Sequence, residues 1–108
     1  MRGIMISCLG KHNQIKCLCF VLLNGNWYRS HDLAFKVNTS DASARTSLAK
    51  WVRWQLVTLW LDQEGNRKYK LSSKGYRWLS RHWDEFPITR WVSELPPYKQ
   101  EYFSFLNE

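Results

Sequence analysis

Apolar residues recur at helical spacing from Asn13 to Leu23, where Ile15, Leu18, Cys19 and Leu22 share one face. Phe20, Val21 and Leu23 fill the other sides, and a helix apolar all round belongs at the centre of a fold. Asn24-Gly25-Asn26 stops it, because Gly and Asn tolerate the left-handed backbone that closes a helix. After Trp27-Tyr28, Ser30 is placed to cap a second, short helix with Asp32 in its first turn and Leu33, Ala34 and Val37 inward. Asn38-Thr39-Ser40 breaks the chain again. Ser40 then caps a third helix with Asp41 in its first turn and Ala44, Leu48, Trp51, Val52 and Gln55 inward.

From Leu56 to Leu61 the pattern changes to branched and aromatic residues, which predicts a strand. Residues 62–66 (Asp-Gln-Glu-Gly-Asn) are turn formers, and Arg67 to Leu71 alternates charged with apolar groups, so it returns as the partner strand of a hairpin. Ser72 or Ser73 caps a fourth helix, with Tyr76, Leu79 and Trp83 inward. Beyond Pro87, Ile88, Trp91, Val92 and Leu95 repeat at i, i+3, i+4 and i+7 before Pro96-Pro97 ends the segment. Three helices, a basic hairpin and a further helix make a winged helix-turn-helix. The predicted class is α+β, mainly helical: a three-helix core, a two-stranded wing hairpin and a C-terminal helical extension. Residues 1–83 form the winged domain and residues 84–108 the extension.

Composition sharpens this reading. At 108 residues the chain suits one domain, and 44% hydrophobic residues with seven Trp exclude a disordered chain. Its longest apolar run, Cys17 to Leu23, is far short of the roughly 20 residues that span a bilayer. The patch Ile4 to Leu9 lacks the length and cleavage site of a secretory signal. Three cysteines are an odd count without metal-knuckle spacing, so free thiols in a cytoplasmic protein are expected, with Cys17 and Cys19 filling core. Net charge is +7, and it is unevenly spread. Residues 1–83 carry 14 basic and four acidic side chains, whereas residues 84–108 carry two and five. A basic body points to a polyanion partner.

Three pieces between Ser30 and Gly75, about half of the chain, resemble winged-helix regulators of the MarR-like and PadR-like kind. Ser30-His31-Asp32-Leu33-Ala34 resembles the s-x-x-eLA opening of their second helix. Leu48-Ala49-Lys50-Trp51-Val52-Arg53-Trp54-Gln55-Leu56-Val57 resembles the L-x-x-L-e-x-x-G-L-v exit of their recognition helix. Arg67-Lys68-Tyr69-Lys70-Leu71-Ser72-Ser73-Lys74-Gly75 resembles the r-x-Y-x-L-T-x-x-G end of their wing. Gln55 stands where such proteins usually have Gly, and Trp51 where they usually have Leu. The resemblance implies sequence-specific binding of double-stranded DNA by a small transcriptional regulator, usually a homodimer. In a bacterial or archaeal cell that would place it with the nucleoid.

In such folds the third helix enters the major groove, which makes Ser43, Arg45, Thr46, Ala49 and Lys50 the candidates for base reading. Arg45 can present a bidentate fork to guanine, although the same face could be merely solvated. Asn66, Arg67, Lys68 and Lys70 on the wing, with Arg29 and His31 at the second helix, are candidates for the phosphate backbone. Strand lysines also protect an edge from aggregation. Trp27, Trp51 and Trp83 are expected in the core; Trp54, Trp60 and Trp78 lie off the inward stripes and could roof the hairpin, meet a subunit or stack on unpaired bases. Ile88, Trp91, Val92 and Leu95 are expected to form a dimer interface, with folding back on the first helix as the alternative. No nucleophile setting, metal spacing or phosphate-binding Gly loop appears, so no catalytic residue, cofactor, membrane partner or small-molecule effector is expected. Two rival functions remain open: a winged-helix protein-interaction module, and a replication or architectural factor that binds DNA without sequence choice.

Overall fold

The computed structural model describes residues 13–107; the apolar patch Ile4 to Leu9, Lys11 and His12 lie outside the described residues. Helix α1 (Asn13–Leu23) is the centre of the molecule, with every residue from Cys17 to Leu23 buried. Around it lie α2 (Ser30–Val37), α3 (Asp41–Arg53), the hairpin β1 (Val57–Leu61) and β2 (Arg67–Leu71), and α4 (Ser73–His82). A 3-10 turn (Trp83–Glu85), α5 (Ile88–Ser93), α6 (Pro97–Gln100) and a final 3-10 stretch (Glu101–Asn107) complete the chain.

The core is aromatic at its heart. Phe20 of α1 stacks on Trp51 of α3 with ring centroids 4.3 Å apart, and on its other flank meets Trp78 of α4 at 5.3 Å. One side chain thus fastens the central helix to two others. Trp51 fits where a Leu was expected because it lies flat against Phe20, at the cost of a buried indole N–H without an acceptor among the described residues. Cys17 and Cys19 are free and buried, and burial pushes both thiols up to about 12, which leaves them unreactive space-fillers.

Helices α2 and α3 form the helix-turn-helix. Asn38, in the left-handed region at φ 64°, closes α2 by donating its N–H to the carbonyls of Ala34 and Phe35. Ser40 caps α3, its Oγ accepting from the N–H of Ser43 at 3.1 Å. Ser30 does not cap α2. Arg29 holds that position without a side-chain capping bond, and the Ser30 hydroxyl donates to Asp41 across the turn at 2.9 Å, tying the two helices together.

The exit of α3 differs from the expected inward stripe. Gln55 is exposed and left-handed at φ 64°. Its N–H bonds the carbonyl of Val52, and the N–H of Leu56 bonds that of Trp51, the double bond of a Schellman closure. This is the backbone position that favours Gly, because a Cβ there crowds the following carbonyl. Gln55→Gly is therefore expected to stabilise the fold by about 1 kcal/mol. A urea titration checks it, and a lower midpoint would mean that the Gln55 side chain contributes contacts that outweigh the strain.

In the wing, β1 and β2 pair antiparallel with Val57 opposite Leu71 and Leu61 opposite Arg67. A single bridge adds a third edge: Tyr28 and Tyr69 exchange both backbone bonds at 2.8 Å. That bridge holds Trp27 on the sheet surface, 43% exposed, where a core position was expected.

Helix α4 is capped by Ser72 and buries Gly75, Trp78 and Leu79. Tyr76 and Trp83 were expected inward and instead face out, 52% and 37% exposed. The reason is Gly75, whose bare Cα lies against the Leu56 carbonyl and rotates the helix so that Trp78 enters the core.

The tail folds back on the central helix. Ile88, Trp91 and Leu95 are buried within this chain, α5 packing on α1, while Val92 is half-buried against the same cluster. The stripe expected to seat a second subunit is closed by folding back, since α1 has apolar surface on that side. Phe103 of the C-terminal extension joins the same core. Lys99, only 4% exposed, reaches across to α2, where its Nζ donates to the Phe35 carbonyl at 2.6 Å and to Asn38 Oδ1 at 3.2 Å. A lysine is satisfied there because the last carbonyls of a helix lack internal partners and carry partial negative charge.

Candidate nucleic-acid interface

On α3 the buried positions Ala44, Ser47, Leu48 and Trp51 leave Ala42, Ser43, Arg45, Thr46, Ala49 and Arg53 exposed. Arg53 was not among the sequence candidates. Its spacing from Thr46 and Ala49, seven and four residues, was the available signal.

An open groove of about 430 Å³ runs beside this helix and is lined by Arg29, His31, Asp41, Arg45, Ala49, Asn66 and Arg67, among others. Three elements distant in sequence meet here: the start of α2, the outer side of α3 and the wing tip. Local chemistry fixes each. Arg29 Nη2 donates to Asn66 Oδ1 at 3.1 Å, linking the α2 entrance to the wing. Asp62 accepts the backbone N–H groups of Asn66 and Glu64, both at 2.9 Å, and so shapes the turn that carries Asn66 and Arg67. The Asn66 N–H, then that of Glu64, hold the Asp62 carboxyl below its ordinary range.

Arg45 lies in the groove with its Nε 3.1 Å from Asp41 Oδ2. Asp41 also receives the Ser30 hydroxyl, so it is a buttress as well as a first-turn acid. With Nε engaged, the two terminal amines of Arg45 remain as an end-on fork.

The other candidates are distributed differently. Thr46 is exposed, its hydroxyl donating to the Ala42 carbonyl at 3.0 Å. Ser43 lines a separate small cavity between α1 and α3 with Lys16, Cys19 and Thr39, and Lys50 lies half-buried with its Nζ 5.9 Å from the Trp54 ring. Lys68 and Lys70 lie outside the groove. They pair across the sheet with Trp60 and Thr58, on the face opposite Tyr69 and Leu71. Among the described residues, no group of three or more His, Cys, Asp or Glu side chains could hold a metal ion, and no helix is long and apolar enough to cross a membrane.

No protein-family model matches the chain, and no curated protein is significantly similar to it in sequence. Solved structures do match. A mutant of ZitR from Lactococcus lactis, in apo form, aligns over 97% of this chain and 85% of that one, with a TM-score of 0.57 and 17% identity. The adhesin competence repressor AdcR from Streptococcus pyogenes aligns over 97% and 84%, at a TM-score of 0.50 and 12% identity. The multiple antibiotic-resistance repressor MarR from Listeria monocytogenes aligns over 94% and 78%, at 0.50 and 16%. The chain has the MarR-like winged-helix fold. The match runs through the tail as well as the helix-turn-helix, so the winged-helix chain shares the path of these three structures over most of its length.

Proposed function

We propose that this winged-helix chain is a cytoplasmic transcriptional regulator that binds double-stranded DNA with sequence preference through the groove between α3 and the wing tip. The observation that carries the reading is the convergence of Arg29, His31, Arg45 and Arg67 on that one groove, against a single acid, Asp41, already engaged by Ser30 and Arg45. The fold it shares with three structures described as a ZitR mutant and two repressors supports the same reading.

In this reading α3 enters the major groove, where Arg45 offers guanine two parallel donors and Ala49 leaves room for close approach. Thr46 faces the same way, and Arg53 meets a phosphate farther along. Arg29, His31, Asn66 and Arg67 hold the backbone and so fix the register in which Arg45 reads. As a homodimer the protein would set two α3 helices roughly 34 Å apart, on successive turns of one groove. Ile88, Trp91 and Leu95 are buried within the chain, which supports a seam built from other residues.

Binding of labelled genomic fragments against random DNA, followed by Arg45→Ala, tests the reading. The substitution is expected to cost about 1–3 kcal/mol on the selected site and far less on random sequence. Equal losses would reduce Arg45 to a phosphate contact. A parent protein that binds neither DNA would favour a protein-interaction module, and one that binds both equally an architectural factor.

A further inference from the structure

The outer face of the wing carries a second surface that the groove does not use. Cross-strand register sets Trp60 beside Lys68. On the other side of β2, the Tyr28–Tyr69 bridge brings Trp27 next to Lys70. The two indoles meet with ring centroids 6.1 Å apart. Lys68 Nζ stands 5.6 Å from the Trp60 ring, and Lys70 Nζ 5.6 Å from the Trp27 ring. Ring and cation therefore alternate across the hairpin and the segment bridged to it.

Among the described residues, nothing buries this face. Trp60 is 49% exposed and Trp27 nearly as much, and among the described residues neither Lys68 nor Lys70 forms an ion pair. Exposed aromatics in contact with one another mark an interaction surface. The two cations make its complement an anion, and the two rings ask for flat π groups. A duplex offers only phosphates here, because its bases are stacked inside. An acidic peptide matches the charge but leaves the rings with few planar partners. An unpaired strand supplies both, with bases and phosphates alternating as the rings and amines do.

We propose that the outer wing face binds single-stranded nucleic acid, with bases stacked on Trp27 and Trp60 and phosphates held by Lys68 and Lys70. The site is independent of duplex recognition by the groove, on the opposite side of the same sheet.

The test is anisotropy of a fluorescein-labelled oligothymidylate of roughly 12 nucleotides, titrated with the full chain. Trp27→Ala and Trp60→Ala are each expected to weaken it roughly tenfold, and Trp60→Phe, which keeps a stacking ring, to retain most of the affinity. Duplex binding by the same variants should stay within about twofold of the parent, since neither ring lines the groove. Circular dichroism confirms that each variant is folded. The proposal falls if the parent does not bind the oligonucleotide, a result that leaves the duplex reading standing. It falls equally if binding is indifferent to both Trp variants. Two rival occupants have their own signatures. A dimer in sedimentation that Trp60→Ala dissociates would assign the face to a second copy. Binding to phosphatidylserine vesicles that exceeds oligonucleotide binding and is lost in Trp60→Ala would assign it to a lipid surface. Either result overturns the proposal.

Discussion

Phe20→Ala is expected to remove about 4–5 kcal/mol of stability. Phe20 is completely buried and touches rings from two other helices, Trp51 at 4.3 Å and Trp78 at 5.3 Å. Truncation to Ala costs about 3–5 kcal/mol from lost transfer energy and the cavity left behind. Each aromatic pair adds about 0.5–1.5 kcal/mol beyond its buried area, which places Phe20 at the upper end. Trp51 and Trp78 cannot close the gap easily, because each is wedged by its own helix. Domains of this size have about 5–15 kcal/mol in total, so the variant would be marginal at 37 °C. Thermal unfolding reads the effect. A loss below about 2 kcal/mol would show that the two indoles collapse onto each other and that the three-ring stack is not the keystone.

Gly75→Ala is expected to cost about 3 kcal/mol, which is severe for the addition of one methyl group. A Cβ at Gly75 would collide with the Leu56 carbonyl oxygen, and would meet the carbonyl carbon at 3.1 Å and Leu71 Cδ2 at 2.9 Å. Leu71 can turn aside, but the Leu56 carbonyl is backbone and already accepts the N–H of Ser72 at 3.1 Å. The Ser72 hydroxyl donates to the neighbouring Gln55 carbonyl, so α4 is bonded to the α3 exit at the very place where it would have to retreat. The insertion therefore strains the bonds that seat α4 and lifts Trp78 from Phe20. The melting temperature should fall by roughly 12–24 °C. An unchanged melting temperature would mean that α4 can shift outward freely and that the close approach is incidental.

Gly75 also explains where the sequence misled. Periodicity needs side chains to be visible, and α4 turns its bare residue inward. The hydrophobic pattern therefore selected Tyr76 and Trp83 and passed over Trp78. Elsewhere the pattern was sufficient. The bounds of α1, the Ser40 cap and the hairpin were legible because each rests on residues within a few positions of one another. The Tyr28–Tyr69 bridge was not, since one pair of residues has no period.

The candidate interface divides along the same line. That Arg45, Thr46 and Ala49 face outward followed from helical spacing, whereas Lys50 is half-buried, Ser43 lines a separate cavity, and Arg53, four residues beyond Ala49, was passed over. Lys68 and Lys70 do point outward from the wing, yet outward there is away from the groove, a matter of register with β1 that no single strand reveals. The tail stripe was visible as a stripe, but spacing cannot distinguish a subunit from the chain's own first helix.

The burial of Lys99 has a consequence for how the molecule meets a large anion. The tail holds two cations, and one of them is spent inside on the carbonyl end of α2. What the tail shows to solvent is Asp84, Glu85, Glu94 and Glu101 with Arg90. The opposite end of α2 opens into the groove with Arg29, His31 and the helix's own positive pole. Lys99 offsets the negative pole of α2, so what this helix presents to a large anion is its positive N-terminal pole, which opens into the groove beside Arg29 and His31. Attraction of that kind is felt within about a Debye length, roughly 10 Å at 0.1 M salt.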